Sequence, residues 1–143
     1  MKVKIEVNIR EHFHLLGSRS EAFAVESPWF QGTAKITTFE LEELLGTKMR
    51  ALYQRKKGRD LFDLYYAYTH HDLNVGKVVH CFREYMSKEG NTPPTAREFE
   101  LNLAEKMKDS EFSGDIEALL RPGVEYDQAR AYQTFQQSFL RYF

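Results

Sequence analysis

The chain lacks most of the features by which chemistry can be read directly from a sequence. It holds one cysteine, Cys81, in 143 residues, so no disulfide can close within it, and a reducing setting, the cytoplasm, is the expected compartment. No run of 18 apolar residues occurs, and Met1-Lys2-Val3-Lys4 leads into alternation rather than a continuous apolar stretch. Neither a membrane span nor a signal peptide is therefore expected. Glycine-rich phosphate loops of the G-x-x-x-x-G-K-[ST] or G-x-G-x-x-G type are missing, as is any Ser, His and Asp set at a readable spacing. His70-His71 and His80-Cys81 match no common zinc pattern, and adjacent residues point different ways on a helix, so no metal site is expected there. His12 and His14 are equally unspecific. Net charge is only −1, which argues against a general nucleic-acid-binding surface.

What is present describes one packed domain over residues 1–143. Hydrophobic residues make up 42% and aromatic residues 14% of the chain, enough large apolar side chains to exclude intrinsic disorder. The small net charge hides an asymmetry. Residues 1–59 carry 11 Lys and Arg against 7 Asp and Glu, whereas residues 60–143 carry 9 against 14. Six of the cations fall between Lys48 and Arg59, a local concentration able to hold an anion.

The patterning predicts an α+β fold, with short N-terminal strands over residues 1–38 followed by a mostly helical bundle over residues 39–143. Val3, Ile5, Val7 and Ile9 alternate with Lys2, Lys4, Glu6 and Asn8, the period of a strand. Weaker strand signals lie at residues 22–25 and 34–37, separated by a turn-rich Ser27-Pro28-Trp29-Phe30-Gln31-Gly32. A sheet this small is marginal unless helices cover it. From Thr37 the period becomes helical. Thr37 and Glu40 offer a capping box for a helix that carries Leu41, Leu44, Leu45, Met49 and Leu52 on one stripe and ends near Gly58. A second helix starts at Arg59 or Asp60, and a third spans about residues 75–87, with Val75, Val78, Val79, Phe82 and Met86 inward. Breaks at Gly90-Asn91-Thr92-Pro93-Pro94 and Arg121-Pro122-Gly123 frame a helix capped by Thr95 and Glu98, and a last helix begins near Asp127. The aromatic rows Tyr65/Tyr66/Tyr68 and Phe135/Phe139/Phe143 read more readily as core than as stacking platforms.

Few residues stand out chemically. On a helical wheel with Leu41 at zero, Lys48 falls at about 340°, inside the apolar stripe. It either snorkels to the edge of the core or projects into a cleft where it meets an anion or a carboxylate. Asp60 and Asp63 are neighbours on the second helix; two such carboxylates can hold a divalent cation or orient a proton-transfer group, or can be simply a helix-terminal charge and a solvated acid. Glu6 and Lys4 share the polar face of the first strand, where Glu6 would be a base or a metal ligand if that face is covered.

The run Leu41-Glu42-Glu43-Leu44-Leu45-Gly46-Thr47-Lys48-Met49-Arg50-Ala51-Leu52-Tyr53-Gln54-Arg55-Lys56-Lys57-Gly58-Arg59-Asp60-Leu61-Phe62-Asp63-Leu64 resembles the second half of the AbiEii/AbiGii nucleotidyltransferase toxin family. The resemblance rests on an acid before Thr-Lys, a basic stretch, and Arg-Asp-Leu-Phe-Asp-Leu. It extends from the Lys4-Ile5-Glu6 strand to Leu119-Leu120-Arg121-Pro122-Gly123. It implies a polymerase-beta-like nucleotidyltransferase acting in toxin–antitoxin and phage-defence systems. Its partners would be a nucleoside triphosphate, tRNA as an acceptor, and a cognate antitoxin. Carried over by position, Asp60 and Glu6 would be the catalytic acids, and Lys48, Lys4, Arg55 and Arg59 would bind the nucleotide. Glu43 and Asp63 would support them.

The family's first motif, a Gly-rich turn followed by Asp-x-Asp, is not found in this sequence. Those aspartates would hold the Mg²⁺ used in displacement at phosphorus. The expectation is therefore a C-terminal part of such a toxin, catalytic only once the complete site is assembled. A non-catalytic module binding an anion, RNA or a protein, or an inactive remnant, is the alternative. A homodimer formed through an exposed strand or apolar surface is a further expectation.

Overall fold

The computed structural model describes residues 13–143, so the strand expected over residues 2–9, with Lys4 and Glu6, lies outside the described residues. The architecture is α+β: among the described residues, two antiparallel strands precede six α-helices. The chain divides into two compact units, Met1–Glu40 and Leu41–Phe143.

In the first unit, β1 (Ser18–Glu26) and β2 (Gln31–Phe39) form a hairpin in which Ser18 faces Phe39 and Glu26 faces Gln31. Both strands are longer than the weak signals at 22–25 and 34–37. Polar Ser, Thr and charged residues extend the ladder because its backbone bonds are indifferent to side-chain polarity. Ser27 organises the turn, its Oγ accepting from the Phe30 N–H at 3.0 Å and its own N–H donating to the Phe30 carbonyl at 2.9 Å. Apolar side chains on the hairpin remain in solvent, with Trp29 93% exposed and Phe23, Phe30 and Ile36 also exposed.

The second unit holds the core. Its helices are α1 (Leu41–Gln54), α2 (Gly58–His70), α3 (Val75–Lys88), α4 (Ala96–Met107), the single turn α5 (Ser110–Gly114) and α6 (Gln128–Ser138). Leu45, Met49 and Leu52 of α1, Leu61 and Leu64 of α2, Val78, Val79 and Phe82 of α3, Phe99 and Leu103 of α4, and Phe135 of α6 are all buried in one cluster. Phe99 stands at its centre, within 5.0 to 5.6 Å of the rings of Phe135, Tyr53, Phe82 and Phe143.

Local caps explain most helix starts. Thr95 and Glu98 form the anticipated reciprocal box on α4, Asp127 accepts from the Arg130 N–H, and Asn74 accepts from the Lys77 N–H. The box expected at Thr37 and Glu40 is not formed, because Thr37 is still in β2 and α1 begins only at Leu41. Helix α1 also stops earlier than Gly58, at Gln54. Gly58 instead starts α2, where its missing side chain leaves room for the carbonyl of Phe112. Helix α5, at five residues, is too short to carry a readable periodicity.

The stripe assigned to α1 is rotated in one respect: Leu44 is exposed, whereas Glu43 and Gly46 are buried. Helix α3 packs on the Glu43/Gly46 side, and a Cβ at Gly46 would lie 2.6 Å from Cys81 Cβ and 3.0 Å from the Phe82 nitrogen. Neither atom can rotate away. Gly46→Ala gains about 1 kcal/mol of helix propensity but overpacks a backbone contact costing about 1–3 kcal/mol. A net destabilisation is expected, read as a lower midpoint in denaturant with unchanged slope.

Candidate functional site

The acids and bases singled out between Lys48 and Asp63 converge where α1 turns into α2. Asp60 is fully buried, and its carboxylate is gripped by both arms of Arg55: Nε donates to Oδ2 and the terminal nitrogen to Oδ1, each at 2.7 Å. This fork-to-fork geometry is the strongest form of the pair. It holds the Arg55 guanidinium further toward its charged form. Lys48 reaches down from α1, its Nζ 2.7 Å from Asp63 Oδ2 and 3.9 Å from Asp60 Oδ1. Its side chain is 41% exposed. Of the two outcomes the wheel allowed, the structure places the Lys48 ammonium against carboxylates.

The basic loop between the helices is held from a distance. Arg59 and Lys57 both reach Asp115, at 3.8 and 3.5 Å, Lys57 also faces Glu111 at 3.6 Å, and Lys56 pairs with Asp109 at 3.2 Å. Asp115 also accepts from the backbone N–H of Arg59 at 3.3 Å. It therefore serves as the acidic cap that Lys57, at the N-cap of α2, does not provide. Arg59 consequently points to Asp115 rather than to Asp60.

Glu43 stands on a different side of α1. It is fully buried and accepts a hydrogen bond of 2.7 Å from the Tyr85 hydroxyl of α3. The structure thus brings Lys48, Arg55, Asp60 and Asp63 together, and turns Glu43 and Arg59 toward other partners. Beside Glu43, Cys81 is buried and its thiol is pushed up to about 11, chiefly by burial and then by the Glu43 charge. That environment disfavours a reactive thiolate.

One member of the cluster was not recognised from the sequence. Lys106 of α4 is 5% exposed, and its ammonium donates to the carbonyls of Leu52 and, at 2.7 Å, of Tyr53. These are orphan carbonyls at the end of α1, where a cation is favoured. On the wheel Lys106 lies about 20° from Phe99, inside an apolar stripe, so the signal that marked Lys48 marks it too. Burial pushes its pKa down to about 8, the Asp60 charge opposing and the Lys56 charge reinforcing the shift.

The described residues do not fit a magnesium ion. Among them no three His, Cys, Asp or Glu side chains are grouped to hold one, and the oxygens of Asp60 and Asp63 already face Arg55 and Lys48. No helix among the described residues is long and apolar enough to cross a membrane.

An α+β chain with a lysine and an arginine drawn onto a buried aspartate, at the junction of two helices, is the class of protein defined so far. The chain belongs to the family of the nucleotidyl transferase AbiEii toxins of type IV toxin–antitoxin systems, which matches residues 1–139. Neither a curated protein nor a solved structure matches it.

Two outcomes follow from this geometry. Arg55→Ala leaves the Asp60 carboxylate buried with only a distant lysine. It is expected to cost about 2 kcal/mol, below the 3–5 kcal/mol of a wholly buried pair because Arg55 is half exposed. Arg55→Lys, which cannot supply the fork, should recover only part of this in denaturant melts. Lys106, with a folded pKa near 8 against 10.5 for a free lysine, binds fewer protons folded than unfolded between those values. Its contribution to stability must rise with pH through that window. The stability of the wild type relative to Lys106→Met should therefore increase from pH 8 to about 10.5, measured by urea unfolding; a flat difference would refute the shift.

Proposed function

We propose that this chain is the nucleotide-facing, helical part of an AbiEii-type nucleotidyltransferase, with Lys48 as the residue that meets the phosphates of a nucleoside triphosphate. The observation that carries this reading is the placement of Lys48: a half-exposed ammonium 2.7 Å from Asp63 and 3.9 Å from a buried Asp60 that Arg55 already neutralises. With Asp60 balanced by Arg55, only the partly exposed Asp63 competes for Lys48. An incoming phosphate can displace it at low cost, since exposed ion pairs contribute about 0–1 kcal/mol. Asp60 in this reading is an anchor rather than a proton acceptor, because both its oxygens are occupied by a guanidinium. Arg55 gains its fixed orientation from the same bond and presents its remaining N–H donors nearby.

Nucleotidyl transfer would further require Mg²⁺ held by carboxylates other than Asp60 and Asp63, of the Asp-x-Asp kind that this sequence does not contain. Glu6 as a catalytic acid and Lys4 as a nucleotide ligand belong to this proposal as well. A tRNA acceptor, a cognate antitoxin specific to this chain, phage defence, a homodimer and a cytoplasmic location all belong to the same proposal.

The second reading, a non-catalytic module, is favoured by one observation: Lys56, Lys57 and Arg59 are each paired with Asp109, Glu111 or Asp115, so the basic loop is internally neutralised. Titration calorimetry of the full chain with nucleoside triphosphates separates the two. Nucleotide binding that falls about tenfold or more in Lys48→Ala, and strengthens a few-fold in Asp63→Asn as the competing charge is removed, is the expected outcome. Unchanged affinity in Lys48→Ala, with steeply salt-dependent binding to RNA instead, would favour the module.

A further inference from the structure

Phe62, Tyr66 and His70 follow one another at i, i+4 and i+8 along α2, about 160°, 120° and 80° around the helix from Asp60. Facing them is the chain between Leu119 and Arg130. A two-lobed cleft lies between, its lobes sharing Phe62, Tyr66 and Val124. One lobe, about 320 Å³, is apolar apart from Arg121 and is walled by Leu119 and Leu120. The other, about 480 Å³, is polar and includes His70, Glu125 and Arg130. Both volumes lie in the range of small-ligand sites.

The aromatic wall is already set. Tyr66 stacks on the His70 ring at 4.0 Å and 13°, and Phe62 is fixed edge-on against Tyr126 at 5.1 Å. Yet Tyr66 remains 41% exposed, so the stack is open on the cleft side. The two arginines differ from the cations of the Lys48 centre. Lys48, Arg55, Lys56, Lys57 and Arg59 all have acidic partners, whereas among the described residues neither Arg121 nor Arg130 makes an ion pair. Rigid aromatic rings between two uncommitted guanidinium groups combine a stacking surface with forked anion donors. Glu125, in the polar lobe, adds an acceptor for ring N–H groups. An apolar protein segment seated here would leave both arginines covered and unpaired, which is costly.

We propose that this cleft is a binding site for a nucleobase together with its attached phosphate, separate from the Lys48 centre. The base lies in the lobe walled by Phe62, Tyr66, Leu119 and Leu120, and the phosphate meets Arg121 or Arg130. A free mononucleotide and an unstacked residue of single-stranded RNA share that chemistry.

The test uses the full chain titrated with AMP and, separately, with a short oligoadenylate, followed by amide and aromatic NMR shifts and by calorimetry. Tyr66→Ala should weaken binding about tenfold or more and Tyr66→Phe should retain it, since base stacking needs the ring and not the hydroxyl. Arg121→Ala combined with Arg130→Ala should weaken binding and flatten its salt dependence. Lys48→Ala should leave it unchanged; triphosphate binding that also survives Lys48→Ala, with AMP binding intact, would count against the Lys48 reading alone. Binding of both ligands assigns the cleft to free nucleotides, and binding of the oligonucleotide only assigns it to RNA; either supports the site. Absence of binding by both, or binding that survives Tyr66→Ala in a variant with an unchanged circular dichroism spectrum, overturns it.

Discussion

A carboxylate without solvent must be given its hydrogen bonds by the fold, and in this protein that requirement falls on Asp60. Burying a charge is tolerable only when it is paired and hydrogen-bonded. The Arg55 fork supplies both oxygens at 2.7 Å. Because Arg55 lies just past the end of α1 and Asp60 in the first turn of α2, the pair spans the turn between the helices and fixes it. Lys106 closes the same corner from α4 by satisfying the last carbonyls of α1. Asp115 closes it from the other side by capping α2. The position of Lys48 relative to Asp63 follows from this corner being held still.

The resulting electrostatics are local and largely balanced. The cations between Lys48 and Arg59 look like an open anion site in one dimension, but Asp109, Glu111 and Asp115 meet three of them in space. A phosphate approaching this region must exchange with carboxylates already present. That exchange is least costly at Lys48, whose carboxylate partner at 2.7 Å, Asp63, is partly in solvent. The contrast with Arg121 and Arg130 is physical rather than compositional: the acidic residues nearest them in sequence do not reach them within ion-pair distance.

Helix α2 serves three tasks. Leu61, Leu64 and Ala67 enter the core, Asp60 and Asp63 face Lys48, and Phe62, Tyr66 and His70 line the cleft. Reading Tyr65, Tyr66 and Tyr68 as one core row merges two of these. The tyrosines divide in the structure, with Tyr65 and Tyr68 packed against the core and Tyr66 left in the open. The C-terminal aromatic row behaves as a core row, with Phe135 and Phe139 buried and stacked at 5.2 Å.

The sequence by itself determined the α+β class, the order of the long helices, the capping box at Thr95, the start of the last helix near Asp127, and Lys48 as a charge inside an apolar stripe. These depend on periodicity and on contacts within a few residues, where the backbone alone fixes which side chains meet. Tertiary structure decided which way α1 faces, since Gly46 lets α3 approach and so buries Glu43 while leaving Leu44 outside. It also decided that Arg55 takes both oxygens of Asp60, that Arg59 belongs to Asp115 across 56 positions, and that a five-residue helix fills the space over Gly58. Such pairings join residues far apart in the chain, and no local pattern encodes them. They exist only once the apolar faces have packed and brought the charges at their edges within reach.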